Sequence, residues 1–149
     1  MQKTITEISK SLQKYGFHLT PQRMAIYNFL ADSKDHPTAN EIFKELKTDF
    51  PSLSLATVYN TLEMFAKVGF VNVLGSIGDG KVHYDANREP HINLACISCH
   101  KIIDLPSEHV ALMMDEISET KGYDILGTRI LIYGICSNCQ QNQRVINKK

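Results

Sequence analysis

Four cysteines, with a set of histidines and aspartates, carry most of the reactive chemistry in this 149-residue sequence. All four cysteines fall into CxxC pairs: Cys96 and Cys99 in "CISC", Cys136 and Cys139 in "CSNC". CxxC spacing lets two sulfurs of one turn face a single ion, and two such turns supply four thiolates for a closed tetrahedral zinc site. The expectation is structural zinc on Cys96, Cys99, Cys136 and Cys139. The 36 residues between the pairs exceed the gap of a compact zinc ribbon, so a strand–helix–strand must return the chain. Two other chemistries share the string. With His100 the first pair reads CxxCH, the attachment motif of a c-type haem. That use normally follows export and would leave Cys136 and Cys139 idle, so no haem is expected. A redox CxxC would leave the second pair unexplained, and a zinc-bound thiol redox protein stays only as a distant alternative.

A second set mixes nitrogen and oxygen donors. His36 precedes a helical run, Asp85 sits where the two halves of the chain join, His91 precedes the first CxxC and Asp104 follows it. Such donors suit iron, manganese or zinc in exchangeable occupancy, unlike a thiolate cage. Spacing alone does not bring them together, and each read singly is an ordinary surface or hinge position.

The elements that must position these groups differ between the halves. Residues 4–15 place Ile5, Ile8, Leu12 and Tyr15 at helical spacing, with Gly16 as the stop. Thr20-Pro21 supplies an N-cap and a first-turn proline for a second helix. Thr38 and Glu41 have capping-box spacing at the head of a third. A fourth begins at Ser52 or Ser54 and ends at Gly69. "VNVLGSIGDGKVHYD" alternates around a glycine-rich turn and reads as a hairpin. Helix-turn-helix plus hairpin is a winged helix. The second half offers the strands "HINLACIS", "KIIDL" and a long "YDILGTRILIYGIC". Between them Ser107 caps a helix through about Lys121, with Val110, Met113, Met114 and Ile117 as its inner face. The fold class expected is α+β: an N-terminal winged helix-turn-helix plus a C-terminal α/β dimerisation domain. A small sheet with open edges is usually paired with a second copy.

Composition limits the partners. Hydrophobic residues make up 43% of the chain, and 16 basic side chains balance 16 acidic ones. They balance within each half too, eight of each sign in 1–80 and eight in 81–149. No long-range field therefore draws the chain to nucleic acid, and a DNA role must rest on local geometry. No run approaches the roughly 18 apolar residues of a membrane span, and "MQKTITEISKSLQKYG" has no apolar signal core. The expectation is a cytoplasmic protein with reduced thiols and no membrane partner.

In a winged helix the segment from about residue 54 is the reading element of the major groove. Ser54, Thr57, Tyr59 and Asn60 can hydrogen-bond phosphates or base edges of double-stranded DNA. Arg23 and Lys14 are candidate backbone contacts. Against this stand the few basic residues on the helix and Glu63, which would repel phosphate; solvated helix surface is the plain alternative.

The stretches "LTPQR", "HPTANEIF", "SLATVYNTL", "HYDANREPHINLACISCHKIIDL" and "RILIYGICSNC" follow one another along nearly the whole chain. In them the sequence resembles the ferric uptake regulator (Fur) family, and within it the peroxide-responsive repressors. The resemblance implies a homodimeric, non-enzymatic transcriptional repressor. It implies a winged-helix DNA-binding domain over 1–84, a hinge over 85–91 and a dimerisation domain with structural zinc over 92–149. A regulatory Fe(II) or Mn(II) would sit at the hinge, on His36, Asp85, His91 and Asp104. Two positions favour the peroxide branch: Asp104, where iron sensors usually carry Glu, and Asn60, where they commonly carry Arg. In that branch iron reacts with hydrogen peroxide, a ligand histidine (here His36 or His91) becomes 2-oxo-histidine, the iron is lost and the protein leaves DNA.

One departure stands out. The family's HxH is here His91-Ile92-Asn93, and an amide oxygen is a weak, neutral ligand for iron(II). The site then binds iron less tightly, recruits another residue such as His83, or serves an iron-, manganese- or zinc-responsive repressor instead. His83 and Asp85 share a strand face if that segment is extended; a solvated wing position is the plain reading of His83.

Overall fold

The computed structural model describes residues 4–147. Helices α1 (Ile5–Lys14), α2 (Pro21–Asp32), α3 (Ala39–Leu46) and α4 (Leu55–Lys67) lead into a two-stranded hairpin, β1 (Asn72–Gly75) and β2 (His83–Asp85). There follow β3 (His91–Cys96), β4 (Ile102–Pro106), α5 (Glu108–Lys121), β5 (Leu131–Gly134) and α6 (Ser137–Asn147).

Local signals start the helices where the sequence places them. Thr4 and Glu7, and Thr38 and Glu41, form complete capping boxes, each satisfying two first-turn donors. Thr20 caps α2 ahead of Pro21. Ser54, rather than Ser52, caps α4 by accepting from Thr57 N–H at 3.1 Å. The apolar faces of these helices meet in one core, in which Ile8, Leu12, Ile26, Ile42, Val58, Leu62 and Phe65 are fully buried. The rings of Tyr27, Phe65 and Phe70 pack at centroid distances of 5.1–6.3 Å and seat the hairpin's entry on that core.

The C-terminal sheet runs in the order β4-β3-β5, antiparallel between β3 and β4 and parallel between β3 and β5. Asn93 pairs directly with Asp104 on one side and Leu131 on the other. A second, smaller core joins the halves: Leu74 and Ile77 of the hairpin are buried with Ala95 and Ile102 of the sheet, and Leu131 packs against them.

The structure departs from expectation at four points. The long strand over 123–136 shrinks to Leu131–Gly134. Residues 126–129 instead contact the first half: Asn72 Nδ2 donates to Thr128 carbonyl at 3.1 Å, Arg129 donates to Val73 carbonyl, and Leu126 lies against Gly69. Backbone committed to such contacts has no neighbouring strand to pair with. The inner face proposed for α5 is also wrong as a set, since Val110 is buried while Met113 and Ile117 are each 40% exposed. Ser107 precedes α5 but makes no side-chain cap. Finally, α6 starts inside the second CxxC, a helix that the sequence reading lacked.

Candidate functional site

The four sulfurs come together at the ends of three elements. Cys96 closes β3, Cys99 lies in the turn after it, and Cys136 and Cys139 straddle the start of α6. Their sulfurs all lie within 4.8 Å of one another, with Cys99 and Cys136 at 3.9 Å. Backbone N–H groups of Cys136 (3.3 Å) and Cys99 (3.5 Å) point at Cys96 Sγ. They favour its thiolate and lower its pKa to about 6. Cys139 is pushed the other way, to about 12: its hydrogen bond with Ser98 opposes the shift, but hydrogen bonding to Cys136, desolvation, and hydrogen bonding to Cys96 and Cys99 override it. Four thiolates so close would repel, and a divalent cation would let them coexist. His100 stands outside the cluster; its N–H donates to Cys96 carbonyl at 2.8 Å and closes the turn at φ +63°.

The second cluster draws on both halves. His36 sits in the turn between α2 and α3 at φ +52°, Asp85 ends β2, His91 opens β3 and Asp104 lies on β4. His36 Nε2 is 2.6 Å from Asp104 Oδ1 and 4.0 Å from Asp85 Oδ2. His91 Nε2 is 2.7 Å from Asp85 Oδ2 and 3.8 Å from Asp104 Oδ1. Potential ligand atoms of His36, Asp85 and Asp104 lie within 4.8 Å of one another, and His91 shares the Asp85 oxygen. His36, Asp85 and His91 side chains are at most 6% exposed, whereas that of Asp104 is 29% exposed and forms the solvent side. The Asp85 hydrogen bond, with help from the Glu89 carbonyl and the Asp104 charge, outweighs burial and raises the His91 pKa to about 9.

Asn93 lies one strand alternation from His91 and directly opposite Asp104, only 1% exposed. Its Nδ2 reaches Ile130 carbonyl at 3.5 Å, but its buried Oδ1 has no hydrogen-bond partner, and neither has His36 Nδ1. A buried, orphaned acceptor directly across the sheet from Asp104 suits a cation.

The sequence reading missed Asn87. Its backbone N–H donates to Asp85 Oδ1 at 2.8 Å, and its side-chain Nδ2 donates to Asp104 Oδ2 at 2.9 Å. Each aspartate thus has one oxygen tied by Asn87 and one turned to the cluster. The run "DANRE" carried a signal: Asp85 accepts from residue 87 and Asn87 from residue 89, two successive Asx turns. His83, the suggested replacement ligand, is buried but engaged elsewhere: Nδ1 donates to His36 carbonyl at 2.8 Å and Nε2 lies 2.7 Å from Asp79 Oδ2.

On α4, Tyr59 is 43% exposed and Asn60 is exposed beside it. The Ser54 and Thr57 hydroxyls hydrogen-bond each other at 2.8 Å at the helix start. Arg23 donates to His18 carbonyl, and Lys14 is exposed on the last turn of α1. No helix among the described residues is long and apolar enough to cross a membrane.

Comparison with known proteins agrees with this arrangement. The peroxide-responsive repressor PerR of Staphylococcus aureus is 37% identical over 136 residues, 91% of each chain. PerR from Streptococcus pyogenes, solved in work on peroxide sensing and gene regulation, is 34% identical with a TM-score of 0.52, covering 90% of this chain and 91% of that one. The Campylobacter jejuni peroxide stress regulator is 27% identical with a TM-score of 0.65, covering 93% and 100%. The ferric uptake regulator family model matches residues 14–133, a span that takes in His36, Asp85, His91, Asp104 and the first CxxC pair. The chain belongs to the ferric uptake regulator family.

Proposed function

We propose that the chain is a metal-dependent, DNA-binding transcriptional repressor of the cytoplasm that responds to hydrogen peroxide. The observation that carries this reading is the convergence of His36, Asp85, His91 and Asp104, from four separate segments, at 2.6–4.0 Å. Identity to repressors named for that response supports it. In this reading residues 1–84 form the winged-helix domain, 85–91 the hinge and 92–149 the dimerisation domain. Structural zinc sits on Cys96, Cys99, Cys136 and Cys139. Iron(II) or manganese(II) is held by His36, Asp85, His91 and Asp104, with Asn93 Oδ1 as a neutral fifth donor. Exposed Ile103, Leu105, Leu112, Ile132 and Tyr133 give a second copy an apolar surface to cover. Ser54, Thr57, Tyr59 and Asn60 face the operator, with Arg23 and Lys14 as backbone contacts.

The residues act by position. His36 belongs to the turn before the helix-turn-helix, and Asp104 to the sheet, so a shared ion holds the angle between the halves. In a dimer that angle sets the spacing of the two α4 helices. Losing the shared ion shifts the population away from the DNA-binding form, and couplings of this kind run to roughly 1–3 kcal/mol, about 5- to 150-fold in affinity. Iron(II), when bound, supplies the one-electron chemistry with peroxide. The net change on the protein is one oxygen added at a ring carbon of His36 or His91, the peroxide's other oxygen leaving as water. Asp104, the exposed side chain of the set, is where a small oxidant meets the cluster. A 2-oxo ring binds metal poorly, so the halves are released.

Mass spectrometry of the zinc-loaded chain after peroxide, with iron(II) or with manganese(II), tests this. One added oxygen on His36 or His91 with iron and not with manganese is expected. Metal binding without histidine oxidation would turn the reading toward an iron-, manganese- or zinc-responsive repressor, which the neutral Asn93 favours. Disulfide formation with zinc release and no histidine oxidation would mean thiol chemistry instead.

A further inference from the structure

Among the elements around the interdomain cluster, β2 does more than supply Asp85. Its first residue, His83, is 8% exposed and uses both ring nitrogens. Nδ1–H donates to the carbonyl of His36, and Nε2 meets Asp79 Oδ2 in the loop of the hairpin. Asp79 is itself held, because its Oδ1 accepts from the N–H of Lys81 at 3.0 Å. One residue along, Tyr84 N–H donates to Pro37 carbonyl at 3.1 Å. The His36–Pro37 turn is thus fastened to β2 at two consecutive carbonyls. His36 needs that support: its φ of +52° lies in the left-handed region, which a non-glycine residue keeps only when its surroundings over-determine it.

We infer that Asp79 and His83 form a positioning pair that holds the His36 main chain in its left-handed turn, so that the hairpin loop sets the metal affinity of the cluster. This rests on the reading of His36 as a ligand of the regulatory metal. It differs from the usual support of a metal-bound histidine, in which the second ring nitrogen is held. Here His36 Nδ1 has no partner and the support arrives through the backbone. The consequence is mechanical. The loop that a winged helix lays along DNA and the turn that carries a metal ligand share one hydrogen-bonded chain, Asp79–His83–His36. Whatever displaces one end loosens the other, and linkage makes the effect reciprocal.

Two substitutions separate the bonds. Asparagine places an amide donor near Nδ1 of the imidazole it replaces, and glutamine places one near Nε2. His83→Asn should therefore keep the bond to His36 and lose Asp79, whereas His83→Gln should do the reverse. With full-length zinc-loaded protein and manganese(II) as the probe, His83→Gln is expected to bind about tenfold or more weaker. His83→Asn, which cuts only the link to the loop, should bind about threefold weaker, between the parent and His83→Gln, a graded pattern that a merely structural role would not produce. In the metal-free protein, amide exchange over residues 33–38 should quicken in His83→Gln. In Asp79→Ala it should quicken over both 76–81 and 33–38. Unchanged zinc content keeps a folding defect apart from these effects.

Equal manganese affinity in His83→Gln and the parent, or Asp79→Ala exchange confined to 76–81, would overturn the inference. His36→Ala is the separate control. If it binds manganese like the parent, the regulatory reading of the cluster fails, while the exchange experiment still decides whether the pair holds the turn.

Discussion

Position 93 presents a neutral amide, and it is buried to 1% with its oxygen unpartnered. A buried acceptor left without a partner costs about 1–3 kcal/mol. Asn93→Ala should therefore leave the metal-free protein within about 1–2 kcal/mol of the parent, since relief of the orphaned oxygen offsets the lost packing and the 3.5 Å bond to Ile130 carbonyl. It should weaken manganese(II) binding about tenfold. Parallel thermal melts and metal titrations read the two effects; equal affinity would remove Asn93 from the ligand set. His91 gives a pH signature. Its folded pKa of about 9 exceeds the ordinary 6.5, so the folded state binds the extra proton more tightly. The stability contributed by the His91–Asp85 pair in metal-free protein is full below pH 6.5 and disappears as pH rises through about 9. Metal must displace that proton, so manganese affinity should climb between pH 7 and about 9 and flatten above. Urea unfolding and metal titration across that range check both slopes. Asn87→Ala removes the side-chain half of the Asn87 tether: the bond to Asp104 Oδ2 goes, with the Asx turn from Glu89 N–H, and the backbone bond to Asp85 stays. Manganese(II) bound there should show an altered electron paramagnetic resonance spectrum, because Asp104 is then free to turn a second oxygen inward.

Among the glycines, the closest approach lies where α4 ends. Gly69 has φ +80°, and a Cβ there would fall 2.8 Å from Leu126 carbonyl oxygen. Gly69→Ala meets both the left-handed penalty and backbone that cannot swing away, so a loss of about 2 kcal/mol or more is expected, read as a lower thermal midpoint. The capped helices, the hairpin and the two CxxC pairs were legible in the sequence because each rests on residues within a few positions of one another. Thr38 with Glu41 and Thr20 with Pro21 are such local rules. Ser107, which makes no cap, and α6 escaped these local rules; the other departures are long-range. Residues 123–130 have strand-like composition, but composition is silent about whether a partner strand exists, and here Asn72 and Arg129 tie that stretch to the first half. The α5 face was misjudged for a similar reason: Met113 and Ile117 have the right spacing but no opposing layer within one chain. The meeting of His36 with Asp104, across 68 positions, has no sequence spacing that would announce it. Only the family resemblance points to it.

For the whole molecule, the four cysteines gather the end of β3, the exit of β5 and the first turn of α6 at one point, and the proposed zinc would be the joint that holds them there. Chelating it, or changing Cys136 to Ser, should free α6 and β5 together and dissolve the proposed dimer, which sedimentation and far-ultraviolet circular dichroism would show. The small core of Leu74 and Ile77 against Ala95 and Ile102 bears on how the chain can be divided. A cut in the stretch 85–91 looks like a cut through a linker, yet the fragment 1–84 would carry away two aliphatic side chains stripped of their cover. Such a fragment would be prone to stick to itself at concentrations where the intact chain stays clear. Operator measurements made on it would report a wing that has lost its seat, and the peptide bond most tempting to a protease or a cloning strategy is the one whose loss changes the neighbouring surface.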